Sequence, residues 1–230
     1  MEIDSENWRQ TVIAGAAALG VTVSAQQAWS MGRHALELLQ WNRAANLTAI
    51  TDPLAVAIKH CVDALAVAAW IDPGARVLDA GSGGGFPGIP LAIVRPDLAL
   101  TLVDSVRKKV SFLKHVIRTL GLTGIDAVHG RLEALGESRP YARQFDLVVC
   151  RAFASLSDFT ALALPFLAPG GSLLAMRGRE SDPDGRRFEP GPNGSSQLGD
   201  TALSIHVHRY RLPLLDAERS IVRLTPGSAG

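Results

Sequence analysis

Cysteine is scarce in this chain: Cys61 and Cys150 are the only two among 230 residues. Far apart and without C-x-x-C spacing, they offer neither a disulfide framework nor a zinc site. They read as two reduced thiols inside a cytosolic protein. An excess of one charge is also missing, since 23 basic against 22 acidic residues leave a formal charge of +1. That excludes a globally basic nucleic-acid binder, so any contact with a polyanion must come from a local patch. No uninterrupted apolar run approaches the ~18 residues needed to span a bilayer. The apolar stretch 11–23 follows Glu2, Asp4 and Glu6 with only Arg9 as a basic side chain, whereas a secretory leader starts positive. No G-x-x-x-x-G-K-[ST] motif occurs, which excludes a P-loop NTPase. The Asn46-Leu47-Thr48 sequon carries no weight in a cytosolic chain, and no internal repeat is visible. What is present is enough apolar material, 47% of residues, for a sizeable core. The length suits one large domain, or one domain with an N-terminal extension.

The first 70 residues read as helical. One helix is expected around 25–40 with Trp29, Gly32, Leu36 and Leu39 on one side, followed by a connecting loop over 41–48. Asp52-Pro53 supplies an N-cap and a first-turn proline. Beyond it Leu54, Ile58, Cys61, Leu65 and Ala68 recur on one face, with Lys59, His60 and Asp63 elsewhere. From Ile71 the pattern changes. Strands are expected at 76–79, 100–104, 125–129, 145–150, 171–177, 202–211 and 219–224, with helices near 87–95, 107–120 and 157–167. On the long helix Val110, Leu113, Ile117 and Leu120 share a face, and Gly121 ends it. Such alternation argues for a mostly parallel sheet covered on both faces. The short Pro213–Asp216 connection makes the last two strands an antiparallel hairpin. A seven-stranded sheet ending this way is the layout of class I S-adenosylmethionine (SAM)-dependent methyltransferases, an α/β Rossmann-like fold. The expected division is a helical region over 1–70 and a SAM-binding domain over 71–230, with 179–200, rich in Gly, Pro, Ser, Asp and Arg, as a mobile surface loop.

The chemistry is concentrated after the first strand, in Val77-Leu78-Asp79-Ala80-Gly81-Ser82-Gly83-Gly84-Gly85-Phe86-Pro87-Gly88. Glycines there let the backbone turn sharply and let a ligand lie against main-chain N–H groups. The G-x-G-x-x-G match at Gly83, Gly85 and Gly88 alone would also suit a dinucleotide. Asp79 separates the two: a carboxylate here repels a pyrophosphate but favours the ammonium of phosphate-free SAM. Its alternative role is a helix cap. Asp104, ending the second strand, is placed to accept ribose hydroxyls or to cap the next helix. Gly130-Arg131-Leu132-Glu133 follows the third strand, where a backbone N–H beside a carboxylate matches the adenine edge; Glu133 is otherwise an ordinary surface residue. Cys150-Arg151-Ala152-Phe153 follows the fourth. The absence of an [Asn/Asp/Ser]-Pro-Pro-aromatic motif there argues against an exocyclic amine as methyl acceptor. Cys150 lacks the proline–cysteine loop that a nucleophile for cytosine C5 would need.

Trp41-Asn42 through Ile50-Thr51, Lys59-His60, Gly85-Phe86-Pro87-Gly88-Ile89-Pro90, Val103-Asp104-Ser105, Phe112-Leu113 and Arg151-Ala152-Phe153-Ala154-Ser155 occur in that order. Together they resemble the RsmG (GidB) family, bacterial 16S rRNA guanine-N7 methyltransferases. The resemblance implies SAM contacts at Gly81, Phe86, Asp104, Leu132, Glu133 and Arg151, to which Asp79 and Gly83 add the glycine loop itself. It also implies a target guanine in the decoding region of the small-subunit rRNA; Arg151 and Arg131, after strands that end on the ligand-binding rim, are the candidate catalytic residues. Where the family often carries Lys-Gly after the fifth strand, this chain has Arg177-Gly178; the charge is kept, the geometry is not.

Guanine N7 has a lone pair and no proton, so transfer needs alignment rather than a general base. His60, His115, His129, His206 and His208 therefore need no catalytic role. Arg107, Lys108, Lys109, Lys114 and Arg118 open the second helix, and Arg131, Arg151, Arg177 and Arg179 follow strands ending on one rim. Lys108, Lys109 and Arg177 are the expected RNA contacts, the alternative for the helix being a solvated charged face. The expected partner is 16S rRNA in the small ribosomal subunit or its assembly intermediate, met by a cytoplasmic monomer with no metal and no membrane. Alternatives are a SAM-dependent methyltransferase for another RNA or a small molecule, an NAD-binding oxidoreductase, and a non-catalytic RNA-binding or SAM-sensing module.

Overall fold

Val77, Leu78 and Ala80 are fully buried, as expected for a strand covered on both faces of a parallel sheet. Around this strand, β1 (Arg76–Ala80), the computed structural model, which describes residues 1–151, 153, 155–178, 195–198 and 201–227, builds one mixed sheet. Its other strands are β2 (Ala99–Asp104), β3 (Ile125–His129), β4 (Phe145–Arg151), β5 (Leu167–Gly178), β6 (Ser195–Leu198), β7 (Thr201–Leu212) and β8 (Ala217–Pro226). The order is β3-β2-β1-β4-β5-β8-β7-β6. The first five strands are parallel, with Leu78 beside Thr101 and Val148. β8 runs antiparallel to β5 and β7 antiparallel to β8, so the expected terminal hairpin is present. All seven expected strands form. The eighth, β6, pairs Ser195–Leu198 with Ser204–Thr201. It corrects the reading of 179–200 as loop throughout; 179–194 and 199–200, with Arg179, lie outside the described residues.

The helices are α1 (Glu6–Ala18), α2 (Ala25–Ala45), α3 (Pro53–Val56), α4 (Asp63–Leu65), α5 (Gly88–Val94), α6 (Arg107–Leu120), α7 (Leu132–Gly136) and α8 (Leu156–Ala163). Ser24 and Gln27 form a reciprocal capping box at the start of α2. The loop expected over 41–48 starts later, because Trp41–Ala45 contains no helix breaker. Only Asn46, in the left-handed region at φ 48°, closes the helix. The buried face of α2 is Ala28, Met31, Gly32, His34, Ala35 and Leu38, while Trp29 and Leu36 face solvent. The expected phase was therefore wrong: Trp29 and Leu36 lie outside, while Met31, His34 and Leu38 turn inward beside Gly32 and the small Ala28 and Ala35.

Asp52 caps α3 as expected, accepting from the Ala55 N–H at 2.8 Å. Between α3 and α4 the chain widens into a π-helical turn, Ala57–Val62. An i→i+5 turn shifts the phase of everything beyond it. Four residues expected on the inward face, Ile58, Cys61, Leu65 and Ala68, are buried, while Leu54, ahead of the turn, is exposed; the wider turn brings His60 and Asp63 inward as well. Pro53–Trp70 is long and apolar enough to cross a membrane by length and composition, yet 61% of it is buried within the protein.

One core cluster runs from Trp8, Met31 and Leu38 to Phe86, Ile89, Leu102 and Phe112. The N-terminal helices thus share apolar contacts with α5, α6 and β2. Two further clusters lie between the sheet and its remaining helices.

Candidate active site at the switch between β1 and β4

The chain leaves β1 toward β2 and β3 on one side, then crosses to β4 and β5 on the other. This reversal opens a crevice at the C-terminal ends of the strands, where open α/β sheets bind ligands. The glycine loop fills the β1 side. Gly81, Gly83 and Gly85 have φ of 74°, 54° and 86°, a region that disfavours side chains. The Gly81 and Ser82 N–H groups both donate to the Val103 carbonyl at 2.9 Å, and the Ser82 hydroxyl donates to the Asp79 carbonyl at 2.9 Å. A Cβ at Gly88 would run into Leu102 and Asp79, so this glycine serves close packing of α5 rather than ligand approach.

Asp79 is fully buried. Its Oδ2 accepts from the Gly88 N–H at 2.9 Å, the capping geometry, while Oδ1 is buried without a partner. Burial pushes its carboxyl up to about 7. Asp104 turns one oxygen to the Gly83 N–H at 3.0 Å and the other to the Val106 N–H at 2.8 Å. It holds the loop while keeping further lone pairs for hydroxyl donors. The Gly130 N–H donates to the Asp104 carbonyl at 3.2 Å, which draws the turn after β3 to this corner. There Leu132 is buried and opens α7, whereas Arg131 and Glu133 are exposed. The donor set therefore consists of three carboxylates, an unpartnered buried oxygen and glycine backbone. It suits a cationic, phosphate-free adenosyl ligand such as SAM and opposes a pyrophosphate.

Across the crevice, Arg151 ends β4. Its Nη1 donates to the Lys59 carbonyl at 2.9 Å and its Nη2 to His60 Nδ1 at 2.9 Å. The guanidinium lies 5.1 Å from the Phe86 ring centroid. Two imidazoles stack on that same ring, His34 at 4.7 Å and His60 at 4.6 Å. His34 Nε2 also donates to the Gly84 carbonyl at 2.8 Å. Burial pulls His34 down to about 4 and His60 to about 3, so both are neutral at physiological pH. Desolvation lowers Arg151 too, against the pull of Asp63 and Asp79. Asp63 itself accepts from the Tyr210 hydroxyl at 2.9 Å and pairs with Arg219 at 3.6 Å. Phe153 stands beside Gly81. Cys61 and Cys150 are buried, and desolvation holds both thiols protonated, Cys61 at about 12, so neither serves as a nucleophile.

The structure thus brings together Asp79, Gly81, Gly83, Phe86, Asp104 and Arg151, with Leu132 and Glu133 at the Asp104 corner. Lys108 is exposed in the first turn of α6, Lys109 is half-buried beside it, and Arg177 is half-buried at the end of β5. Sequence reasoning missed His34 and treated His60 as dispensable. The signal for His60 was its place beside Lys59 in the family pattern, and Thr48 lay in the same pattern.

Fold and crevice together define a class I, SAM-dependent methyltransferase. A solved SAM-dependent methyltransferase from Aquifex aeolicus is similar in fold, with a TM-score of 0.54 over 81% of this chain and 97% of that one at 14% identity. Over 208 residues the chain is 50% identical to the ribosomal RNA small subunit methyltransferase G of Geobacter sp. strain M21, covering 90% of this chain and 93% of that protein. It is 39% identical over 226 residues to the protein of the same description from Leptothrix cholodnii, covering 96% of each. Residues 27–189 match the family described as rRNA small subunit methyltransferase G, and the chain belongs to that family.

Proposed function

We propose that this protein transfers the methyl group of SAM to N7 of a guanine in the decoding region of 16S rRNA, acting on the small subunit or its assembly intermediate. The observation that carries the reading is Arg151: a guanidinium fixed at the mouth of the glycine loop by two neutral acceptors, the Lys59 carbonyl and a His60 imidazole whose Nδ1 lone pair is taken up by that contact. Bound SAM supplies an electrophilic methyl on a sulfonium. Asp104 and Glu133 are placed for the ribose and adenine, and Gly81, Gly83 and Leu132 for main-chain contact. Phe86 supports the loop from beneath, and the unpartnered Asp79 oxygen favours the ammonium directly or through water.

Arg151 uses two of its five N–H donors on Lys59 and His60. The others can hold O6 or a phosphate oxygen of the target while the N7 lone pair stays free. Arg131, exposed across the crevice, is the second candidate contact to the reacting nucleotide. Lys108, Lys109 and Arg177 serve the RNA backbone, and Arg177 in place of a family lysine offers a fork rather than a point charge. The test is methylation of small subunits from a deletion strain, with mass mapping of the methylated nucleotide. The expected result is one N7-methylguanosine, lost with Arg151→Ala in a protein that still folds and binds SAM. Full methylation by Arg151→Ala refutes the assignment.

A further inference from the structure

One hydrogen-bonded chain joins the N-terminal helical region to Arg151. It starts at Asn42 in α2, whose Oδ1 accepts the Leu47 and Thr48 N–H groups at 2.7 and 2.9 Å while its Nδ2 donates to the Thr48 carbonyl at 2.9 Å. This fixes Thr48, whose Oγ1 lies 2.7 Å from His60 Nε2 and accepts the Ile50 N–H at 2.9 Å. The polarity is forced. A guanidinium only donates, so His60 Nδ1, 2.9 Å from Arg151 Nη2, carries no hydrogen. A neutral ring then has its hydrogen on Nε2 and donates it to Thr48. A second arm comes from the π-helical turn, whose Lys59 carbonyl takes the other Arg151 nitrogen; such turns recur at functional sites.

We propose that Asn42, Thr48 and His60 are positioning residues for Arg151: by locking one tautomer of His60 they set the guanidinium at the glycine loop, so the N-terminal helical region takes part in methyl transfer. This rests on the reading that Arg151 touches the target nucleotide. The choice of a neutral partner has a physical logic. A carboxylate at position 60 would bind Arg151 more tightly but would cancel the charge that a phosphate or base oxygen needs. The nearby carboxylate, Asp63, is already engaged by Tyr210 and Arg219.

The test uses the full chain, SAM and small subunits from a deletion strain, comparing Thr48→Val with Thr48→Ser and His60→Ala with His60→Gln. Valine keeps the volume of Thr48 and removes the acceptor; serine keeps the acceptor. Glutamine offers Arg151 an oxygen acceptor that alanine lacks. The expected result is a loss of kcat of ~10–100-fold in Thr48→Val and His60→Ala, as when a supporting residue lets a contact drift. Thr48→Ser and His60→Gln should largely restore it, and calorimetry should show unchanged SAM affinity in both Thr48 variants. Wild-type kcat in Thr48→Val overturns the proposal, as do equal losses in Val and Ser, which would mark a packing effect. Should His60→Ala not fold, the Thr48 pair still decides. Should the wild-type chain methylate no subunit, the proposed function fails instead, before any variant is compared.

Discussion

Three buried side chains around the glycine loop tie stability to pH, and they do not act in the same direction. His34 and His60 titrate at about 4 and 3 in the folded protein against 6.5 when exposed. Between those values the unfolded chain binds protons that the folded one refuses, so acidification destabilises the fold. Asp79 does the reverse. Its carboxyl sits at about 7 when folded and 3.8 when exposed, so the folded state takes up a proton first and gains stability as pH falls through that window. Each unmatched proton changes stability by about 1.4 kcal/mol per pH unit. Asp79→Asn removes the compensating term while leaving an oxygen to accept from Gly88. Urea midpoints measured between pH 7.5 and 5 should therefore fall more steeply in Asp79→Asn than in wild type. Parallel profiles would show that Asp79 is already ionised in the folded protein.

At the scale of elements, α6 opens against its own dipole. Its first turn carries Arg107, Lys108 and Lys109 and no acid, although the positive end of a helix favours carboxylates. Basic residues so placed do nothing for the helix, which fits a role toward RNA. The double change Lys108→Gln, Lys109→Gln should leave the melting temperature equal or slightly higher. It should also weaken subunit binding and reduce the slope of log affinity against log salt by up to about 2; an unchanged slope removes these lysines from the interface. The apolar face of α6 was largely readable from spacing alone, since of the expected residues Val110 and Leu113 are buried and Ile117 and Leu120 half-buried, though Phe112 and Val116 complete the face. The glycine loop was readable for a related reason, because glycines that turn a chain after a strand are a local signal. The phase of α2 was not, and after Asp52 the spacing found Ile58, Cys61, Leu65 and Ala68 but missed the inward turn of His60 and Asp63. In α2 the buried face is set by what it must approach: an added Cβ at Gly84 would strike Leu38. In the other segment the π-helical turn breaks the period. The partners of Arg151 escaped for a third reason, since His60 stands 91 residues earlier in sequence and only the fold brings them together.

For the whole molecule, the question is whether residues 1–70 and 71–230 are separable units. The shared cluster argues that they are not: Trp8, Met31 and Leu38 pack in one core with Phe86, Ile89, Leu102 and Phe112. The Trp8 indole also donates to the Pro53 carbonyl at 2.9 Å. The sequence supplies its own probe, because all four tryptophans, Trp8, Trp29, Trp41 and Trp70, lie in the first 70 residues. Indole fluorescence thus reports on the helical region and on its packing against α6 and β7, where Trp41 meets Phe112 and Trp70 meets His208, and far-UV circular dichroism reports on the whole chain. A single cooperative unit requires the two urea transitions to coincide. Phe112→Ala sharpens the comparison, since that ring is fully buried in α6 and meets Trp41 at 5.9 Å. Losing it should destabilise by ~3–5 kcal/mol and move both transitions equally. An early fluorescence transition, left in place by Phe112→Ala, would mean that the helical region folds by itself and meets the methyltransferase domain only as a neighbour.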